Sequence, residues 1–559
     1  MRRNNMLRDG KIQIAQNAAG EPLFLLPGMA NRHGLVAGAT GTGKTVTLKV
    51  MAESFSDMGV PVFMADVKGD IASLMAPGQD TEDMRERVER FGLAEHGFQY
   101  QGYPVTLWDI YGEKGIQLRT TVTEMGPVLL SRILGLNDLQ SDVLSIMFKI
   151  ADDSGLLLVD TKDLKAMLQF IQENAAALAP EYGRISSATI GAIVRAIVAI
   201  EAKGGDSFFF EPALNIGDFL TVGANGKGMI NILDSESLVN DGTLYSSFLL
   251  WLLSELFDRL PEVGDLDKPK LVFFFDEAHL LFKNTSKNLL DKIEQVVKLV
   301  RSKGVGVYFC TQNPRDVPDG VLSQLGNKIQ HGLHAYTPAD MRAVKAAAES
   351  FRPNPEFNTF EVIQNLGTGE AVVSFLGEDG IPSVCEKAFI LPPQSRFGAI
   401  TAEERDRQIK GSLLYTKYYE AYDPDSAYEF LERRGIELEQ KAEEARREAE
   451  EAKIKAAAER QAAKEAEAAA KQAAREAAAA ERQAAKEAEA AQRAAQREAE
   501  RQEREKKRAM KSVASTVVGT VGREAGKAVG SSFGSLGKTV GGNLGASLGR
   551  NILGTLFKV

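Results

Sequence analysis

A glycine-rich segment near the start of the chain has the residue types that bind phosphate. Residues 38–45 read Gly-Ala-Thr-Gly-Thr-Gly-Lys-Thr and fit the pattern G-x-x-x-x-G-K-[ST]. Its glycines allow backbone N–H groups to turn toward phosphate oxygens, because no Cβ blocks the dihedral angles or the approach of the anion. A Gly-rich turn that meets the pattern by chance is the alternative interpretation.

The flanking sequence has the elements that this pattern requires. Residues 33–37 are short and apolar, as in a buried parallel strand, and residues 46–58 have the length and apolar content of a helix. We predict that Lys44 reaches the β- and γ-phosphates of a nucleotide and that the Thr45 hydroxyl ligates Mg²⁺. The residues predicted to bind the nucleotide are Gly38, Ala39, Thr40, Gly41, Thr42, Gly43, Lys44 and Thr45.

Two adjacent acids follow a second apolar run. Residues 271–275 read Leu-Val-Phe-Phe-Phe and lead directly into Asp276 and Glu277. The carboxyl ends of parallel strands are where α/β sheets bind ligands, so these acids are expected beside the phosphates. We predict that Asp276 completes the magnesium shell and that Glu277 orients and deprotonates the attacking water. Adjacent acids at a strand end are common, and the prediction depends on their combination with the upstream loop.

Two more polar segments follow strand-like sequences. Gln312 ends the run at 304–311, where a neutral amide can sense the γ-phosphate and position water; an ordinary polar residue at a strand end is the alternative. Residues 66–70, Asp-Val-Lys-Gly-Asp, follow the apolar run at 60–65. This cluster either helps to hold magnesium, couples the site to a neighbour, or is a solvated loop.

The order of strand-like and helix-like segments predicts an α/β fold with a mostly parallel sheet. With 559 residues, the chain is expected to form two or three folded units plus extensions. The predicted divisions are N-terminal strands at 1–32, a core at 33–119 and 228–400, an all-helical insertion at 120–227, a helical segment of the core at 401–435, an Ala/Glu/Lys-rich segment at 436–511 and a Gly-rich tail at 512–559.

Charge, cysteine content and hydropathy limit the protein class. A net charge of -9 argues against a surface of uniformly positive potential, although basic side chains can still concentrate in a channel. Cys310 and Cys385 lack metal-ligand spacing and are expected to be buried free thiols in a reducing compartment. We find no signal peptide and no window near 18 consecutive apolar residues, so the expected location is cytoplasmic.

The last part of the sequence has a different composition. Residues 436–511 are almost entirely Ala, Glu, Lys, Arg and Gln, which predicts a long solvated helix or a loose alanine-seamed coiled coil. Residues 512–559 carry glycine every three or four positions. A flexible tail, or an anchor for self-association or for the inner membrane surface, would have this composition.

Together, residues 38–45, Asp276, Glu277 and Gln312, with a helical insertion between them, resemble the HerA/FtsK-type P-loop ATPases. The bacterial HerA-like group, of the helicase HerA-like C-terminal domain family, is the nearer resemblance. The sequence segments that carry this resemblance lie at 31–34, 66–70, 311–314 and 324–331. The resemblance covers roughly residues 20–430.

This resemblance implies a RecA-like P-loop core that binds ATP and Mg²⁺ and works as a homo-hexameric ring motor on double-stranded DNA. It also implies an arginine that completes the neighbouring subunit's site; we predict Arg301, with Arg315 and Arg342 as alternatives. Residues 331–334 carry histidines where relatives would have an arginine. A nuclease partner stays open, as do two other functions: a protein-remodelling or secretion-type ATPase at the membrane, and a nucleotide-switched scaffold.

Overall fold

The computed structural model describes residues 7–202, 204–238, 241–283 and 287–499. The chain divides into two compact units, of which the first ends at Tyr428 and the second begins at Glu429. The first unit is built on one 13-stranded sheet. The predicted Gly-rich tail at 512–559, and residues 500–511 of the segment before it, lie outside the described residues.

The sheet is mostly parallel. Its strands are β1 (Leu7–Arg8), β2 (Lys11–Asn17), β3 (Pro22–Leu25), β4 (Gly34–Ala37), β5 (Val62–Asp66), β6 (Val105–Asp109), β7 (Ile116–Gln117), β8 (Ile230–Asp234), β9 (Leu271–Phe275), β10 (Val305–Thr311), β11 (Asn327–His331), β12 (Glu370–Ser374) and β13 (Glu386–Ile390). They lie in the order β1-β2-β13-β12-β11-β4-β10-β9-β5-β8-β6-β7, with β3 paired to β2. All pairs from β11 to β7 are parallel, and the pairs on the other side of β11 are antiparallel.

The central strands are buried on both faces, which explains their continuous apolar sequences. Every residue of β4, β5, β9 and β10 is buried. On one face, the rings of Phe63 and Phe273 stack with their centroids 4.6 Å apart. On the other face, Phe274 belongs to the same buried cluster as Leu48 and Phe55 of the helix that follows β4. The sheet is therefore the middle layer of the first unit.

Sixteen helices are present in the described part of the chain. They are α1 (Lys44–Asp57), α2 (Glu82–Arg90), α3 (Val122–Ile133), α4 (Asp138–Asp153), α5 (Thr161–Glu173), α6 (Ala175–Tyr182), α7 (Ser187–Glu201), α8 (Gly242–Arg259), α9 (His279–Phe282), α10 (Lys287–Val300), α11 (Asp319–Leu322), α12 (Pro338–Glu349), α13 (Thr359–Gln364), α14 (Ala402–Gly411), α15 (Leu413–Tyr418) and α16 (Ala427–Ala499).

The insertion between β7 and β8 is helical only in its first part. Helices α3 to α7 end at Glu201, and the chain then continues to β8 through irregular segments and two short 3-10 turns, Gly205–Phe208 and Ile216–Leu220. The prediction of an all-helical insertion at 120–227 was therefore wrong for its last part. Pro212 and several glycines in this stretch disfavour a continuous helix, which accounts for the difference.

The C-terminal helix begins earlier than predicted. Helix α16 is continuous from Ala427 to Ala499, so the expected boundary between residues 435 and 436 lies inside it. The residues just before that boundary are mainly good helix formers, and a single glycine, Gly435, costs too little to end so long a helix. The described part of the second unit is helical throughout.

Two other expectations can be compared with the structure. Cys310 and Cys385 are free and buried, as predicted. Within the described ranges, no single helix has both the length and the hydropathy to cross a membrane. Helices α6 and α7 meet those criteria only as a pair, and their axes are bent by 97°.

A buried pair of charged residues fixes α1 to the segment that follows β13. Lys49 Nζ donates to Ser73 Oγ and to the carbonyl oxygen of Arg396, both at 2.6 Å. The Glu53 carboxylate accepts hydrogen bonds from the backbone N–H groups of Gln394 and Ser395 at 2.8 and 3.0 Å. Burial raises the pKa of Glu53 to about 7 and lowers the pKa of Lys49 to about 8.

The raised pKa of Glu53 predicts a pH-dependent contribution to stability. Because the folded state binds this proton more tightly than the ordinary pKa of 4.5 allows, Glu53 should lose stabilising free energy as pH rises from about 4.5 to about 7. The difference in unfolding free energy between the parent and Glu53→Gln should therefore fall over this window, by at most about 1.4 kcal/mol per pH unit. Urea unfolding at several pH values measures it. Glu86→Gln, at an exposed position, is the matched control, and a constant difference for Glu53→Gln would contradict the assignment.

Candidate functional site

The register of three neighbouring strands brings the predicted site residues to one edge of the sheet. Ala37 of β4 pairs with Thr311 of β10, and Phe309 of β10 pairs with Phe275 of β9. Each strand then ends at the same edge, so the loop after β4, Asp276 after β9 and Gln312 after β10 emerge side by side. The pairing therefore brings together segments more than 200 residues apart in sequence.

The glycine-rich loop is held by hydrogen bonds to neighbouring segments. The N–H groups of Gly38 and Ala39 donate to the carbonyl oxygens of Thr311 and Gly332, at 3.2 and 2.9 Å. Thr42 Oγ1 donates to the carbonyl oxygen of Ala39 at 2.7 Å. Helix α1 starts immediately afterwards at Lys44, so its unpaired N-terminal N–H groups point toward the loop.

Two glycines in this loop are required by geometry. Gly43 has a φ of +115°, a conformation that other residues rarely adopt. At Gly38, an added Cβ would lie 2.5 Å from the Cβ of His331, which is closer than two carbon atoms can approach. The loop therefore lies directly on the end of β11.

His331 packs against the glycine-rich loop and the first turn of α1. Its ring is buried, with Nε2 2.8 Å from Thr47 Oγ1 and Nδ1 3.0 Å from the carbonyl oxygen of Glu370. Burial lowers the pKa of His331 to about 4, so the ring is neutral near pH 7. The neutral ring accepts the Thr47 hydroxyl and donates to the carbonyl, which fixes its tautomer. In this chain the histidine positions the loop.

Lys44 is folded back onto the loop. Its Nζ donates to the carbonyl oxygens of Gly38 and Ala39, at 2.6 and 3.0 Å. Burial lowers the pKa of Lys44, and the nearby charges of Glu277 and Asp276 act in the opposite direction. Lys44 thus lies within electrostatic range of both acids. Thr45 is the second residue of α1 and is partly exposed, whereas Thr40 and Gly41 are exposed at the tip of the loop.

Asp276 is half-buried at the edge of the sheet, directly after β9. Burial, followed by the adjacent charge of Glu277, raises the pKa of Asp276 to about 6. One carboxylate oxygen accepts the N–H of Glu277 at 2.9 Å, and the Cys310 thiol lies close to this side chain. The hydroxyl of Tyr245, on α8, donates to the backbone carbonyl of Asp276 at 2.7 Å. A partly desolvated carboxylate with a raised pKa favours a cation beside it.

Glu277 has an unusual backbone conformation that directs its side chain into the site. Its φ is +46°, a left-handed value for a residue other than glycine. The carboxylate lies 3.3 and 3.4 Å from Gln312 Nε2 and 3.3 Å from His279 Nδ1. The structure therefore places Gln312 and Glu277 in direct contact, with the amide able to orient the acid.

Asp66 has a structural role in the loop after β5. Its carboxylate accepts four backbone N–H groups, from Lys68 at 3.3 Å, Gly69 at 2.8 Å, Ile71 at 2.9 Å and Ala72 at 3.1 Å. Both oxygens are occupied by the turn, so the magnesium interpretation of Asp66 is not supported. Lys68, in the same loop, acts electrostatically on Lys44 and on Asp276, which places a second lysine near the glycine-rich loop.

The candidate arginines lie at different distances from this site. Arg301 belongs to a 3-10 turn before β10, with Nη2 3.6 Å from Asp265 Oδ1, at the opposite end of the strand from Gln312. That strand has seven residues, so the separation is about 23 Å within one chain. Arg315 follows Gln312 closely in the turn Pro314–Asp316, and Arg342 is exposed on α12.

Sequence reasoning missed the residues that support the site. The roles of Tyr245, His331 and Cys310 depend on contacts between distant segments, and their residue types alone give no signal. Lys68 could have been selected, because it stands in the polar cluster after a buried strand. No group of three or more His, Cys, Asp or Glu side chains in the described ranges is arranged to hold a metal by itself.

Comparison with known proteins identifies related sequences. The family described as helicase HerA-like C-terminal matches residues 11–484. A probable helicase of Methanocaldococcus jannaschii is 31% identical over 154 residues, which are 26% of this chain and 28% of that protein. A DNA double-strand break repair helicase HerA of Sulfurisphaera tokodaii is 22% identical over 355 residues, or 61% of this chain and 62% of that protein. The chain thus spans less than two thirds of the length of either relative.

Solved structures with a similar arrangement include two bacterial proteins. The conjugative coupling protein TrwB has a TM-score of 0.44 and 18% identity, and the match covers 71% of this chain and 92% of that chain. VirB4 of Thermoanaerobacter pseudethanolicus has a TM-score of 0.43 and 15% identity, with 71% of this chain and 99% of that chain covered.

Proposed function

Because the chain belongs to the helicase HerA-like C-terminal family, we propose that it is an ATP-hydrolysing ring motor that moves along double-stranded DNA. One observation carries the enzymatic half of this proposal. Lys44, Asp276, Glu277 and Gln312 lie at one edge of the sheet, each in a position that fits its role in phosphoryl transfer. The DNA half is supported by family membership and by the names of the relatives.

In this proposal, the glycine-rich loop and α1 bind the triphosphate. The loop N–H groups and the N-terminus of α1 surround the β-phosphate, and Lys44 exchanges the carbonyl oxygens of Gly38 and Ala39 for phosphate oxygens. This exchange has a low cost, because the lysine is already held beside the loop. The nucleotide therefore enters a site that is largely formed before binding.

The side chains at the site also fit a magnesium ion. Thr45 and Asp276 would hold it, because Mg²⁺ commonly uses one or two protein ligands and completes its shell with phosphate oxygens and water. The raised pKa of Asp276 supports this choice, since a partly desolvated carboxylate is stabilised in its charged form by a nearby cation. When bound, Mg²⁺ neutralises negative charge on the β- and γ-phosphates.

Glu277 would act as the general base. Its carboxylate lies 3.3–3.4 Å from Gln312 Nε2 and 3.3 Å from His279 Nδ1, so these neighbours orient it. The left-handed backbone at Glu277 keeps the side chain at the sheet edge, where a water molecule could approach the γ-phosphate. Gln312, released from this contact, would then hydrogen-bond to the γ-phosphate or to the water.

We further propose that six copies form a ring and that Arg301 completes the site of a neighbouring subunit. In its own chain, Arg301 lies at the opposite end of β10 from Gln312, so a nucleotide site that it completes would belong to another copy. An arginine supplied in this way stabilises charge on the transferring phosphoryl group. A nuclease partner would be a further addition to this assembly.

The catalytic assignment predicts different phenotypes for two substitutions. Lys44→Ala should abolish ATP binding, whereas Glu277→Gln should retain ATP binding and slow hydrolysis by about 10²–10⁴-fold, because only the base is lost. Equilibrium binding of a fluorescent ATP analogue and steady-state phosphate release measure the two effects. Glu262→Gln, at an exposed position before β9, is the matched control. A Glu277→Gln variant as fast as the parent would show that another group orients the water.

DNA dependence tests the choice of substrate. ATP turnover should rise when double-stranded DNA is added at low salt, and the stimulation should decline steeply as salt increases, because phosphate contacts release counterions. Native mass measurement of the same sample gives the number of subunits. The secretion-type function would instead be favoured if ATP turnover did not change with DNA but rose with anionic lipid vesicles. In that case, deletion of residues 512–559 should abolish the response to lipid.

Mixed assemblies test whether Arg301 acts at the site of a neighbouring subunit. Arg301→Ala and Lys44→Ala should each reduce turnover by about 10³-fold or more when prepared alone. Mixing the two should recover part of the activity, because some interfaces then combine an intact Lys44 site with an intact Arg301. Mixtures of Arg315→Ala with Lys44→Ala provide the comparison. Recovery in that second mixture alone would assign the role to Arg315, provided that assembly is unchanged by mass.

A further inference from the structure

Helix α16 carries a regular alanine repeat along the described part of the second unit. Numbered in heptads from residue 442 to 497, all eight a positions are alanine and six of the eight d positions are alanine. The other five heptad positions contain 12 alanines among 40 residues. The a positions are 442, 449, 456, 463, 470, 477, 484 and 491, and the d positions are 445, 452, 459, 466, 473, 480, 487 and 494.

A strict seven-residue repeat of this kind keeps one stripe of a helix facing one partner helix. Every side chain from residue 436 to 484 is exposed. Alanine at both a and d allows two helices to approach more closely than leucine does. The repeat covers 56 residues, or about 84 Å of helix, so the small area buried by each alanine is added over many turns.

Charges in and beside the stripe discriminate between the two orientations of a second copy. In a parallel, in-register pair, Glu459 would lie against Glu459 of the second chain within the seam, and Glu487 would lie against its equivalent. The flanking contacts would also pair Lys455 with Arg460 and Glu476 with Glu481, which are like charges. Lys441 and Arg446 form a third like-charged pair, and only Glu448 with Lys453 is attractive. Repulsive contacts therefore outnumber attractive ones at the edges of a parallel pair, and the seam adds two more.

In the antiparallel orientation, different residues lie opposite one another, and the charged pairs are attractive. When residue 449 lies opposite residue 480 of the second chain, Glu459 and Glu487 each face an alanine. The flanking e and g positions then pair Arg446 with Glu481, Arg460 with Glu467, and Lys455 with Glu476. Each pair occurs twice because of the two-fold symmetry, and no like-charged pair arises at these flanking positions from residue 441 to 490.

We propose that the alanine stripe of α16 pairs antiparallel with the same stripe of a second copy of the chain, with residue 449 opposite residue 480. The register follows from the charge pairs, and the close approach follows from the alanines. This association is a property of the helix and does not require ATP hydrolysis, so it can hold or fail independently of the proposed motor function.

Cysteine cross-linking of the full chain tests the orientation. Cys310 and Cys385 are buried, so single variants Ala449→Cys and Ala480→Cys each add one accessible thiol. Oxidation of an equimolar mixture should link the two variants to each other, while either variant alone should remain unlinked, because residues 449 and 480 are about 46 Å apart along a helix. Self-linked dimers of each separate variant would show a parallel pair, and no linkage in any sample would show that the stripe is unpaired.

Charge reversal tests the register. Introduced into both cysteine variants, Arg460→Glu should lower the linked fraction by about fivefold, because it opposes Glu467 of the second chain. Adding Glu467→Arg should restore the fraction, and Arg475→Glu, at an f position away from the seam, should leave it unchanged. Circular dichroism confirms that helix content is equal in all variants. An increase in linkage for Arg460→Glu would overturn the proposal, because that change improves the contact with Lys455 in a parallel pair.

Discussion

The parallel hydrogen-bonded register of β4, β10 and β9 is the constraint on which the rest of the site depends. These strands are buried on both faces, and their pairing leaves no freedom for one to slide past another without exposing apolar side chains. The carboxyl ends of these strands therefore lie at fixed positions relative to one another. The buried core permits one alignment of these three strands. The glycine-rich loop, the two acids and the amide therefore lie together at one edge of the sheet, although they come from distant parts of the sequence.

The same burial that fixes the strands gives the site its electrostatic character. Asp276 is surrounded by the ends of buried strands, with the Cys310 thiol and the Tyr245 hydroxyl close to it, and its charged form is disfavoured in the absence of a cation. Lys44 is also partly desolvated, and its ammonium group is held by carbonyl oxygens of the loop. Opposite charges kept near each other in a poorly solvated space are well suited to a highly charged ligand such as a nucleotide with its metal.

The sequence was sufficient for the parts of the site that depend on local pattern. A glycine-rich segment between a strand and a helix, acids after an apolar run and an amide after the next run all lie where they were expected. Local pattern did not determine the role of Asp66, whose environment is created by the turn that it caps, or that of His331, which contacts a loop almost 300 residues earlier. It also misjudged the start of α16 and the last part of the insertion, since propensities give weak boundaries where helix formers and glycines are mixed. Long-range contacts were therefore the information that residue types could not supply.

Helix α1 has a mechanical consequence that follows from its two ends. It begins at the glycine-rich loop with Lys44. Further along the helix, Lys49 and Glu53 form hydrogen bonds with the backbone at residues 394–396. A 14-residue helix packed on most of its surface behaves as a stiff rod of about 21 Å. A displacement of the end of α1 that carries Lys44 would therefore also move residues 394–396, in the chain that leads into α14.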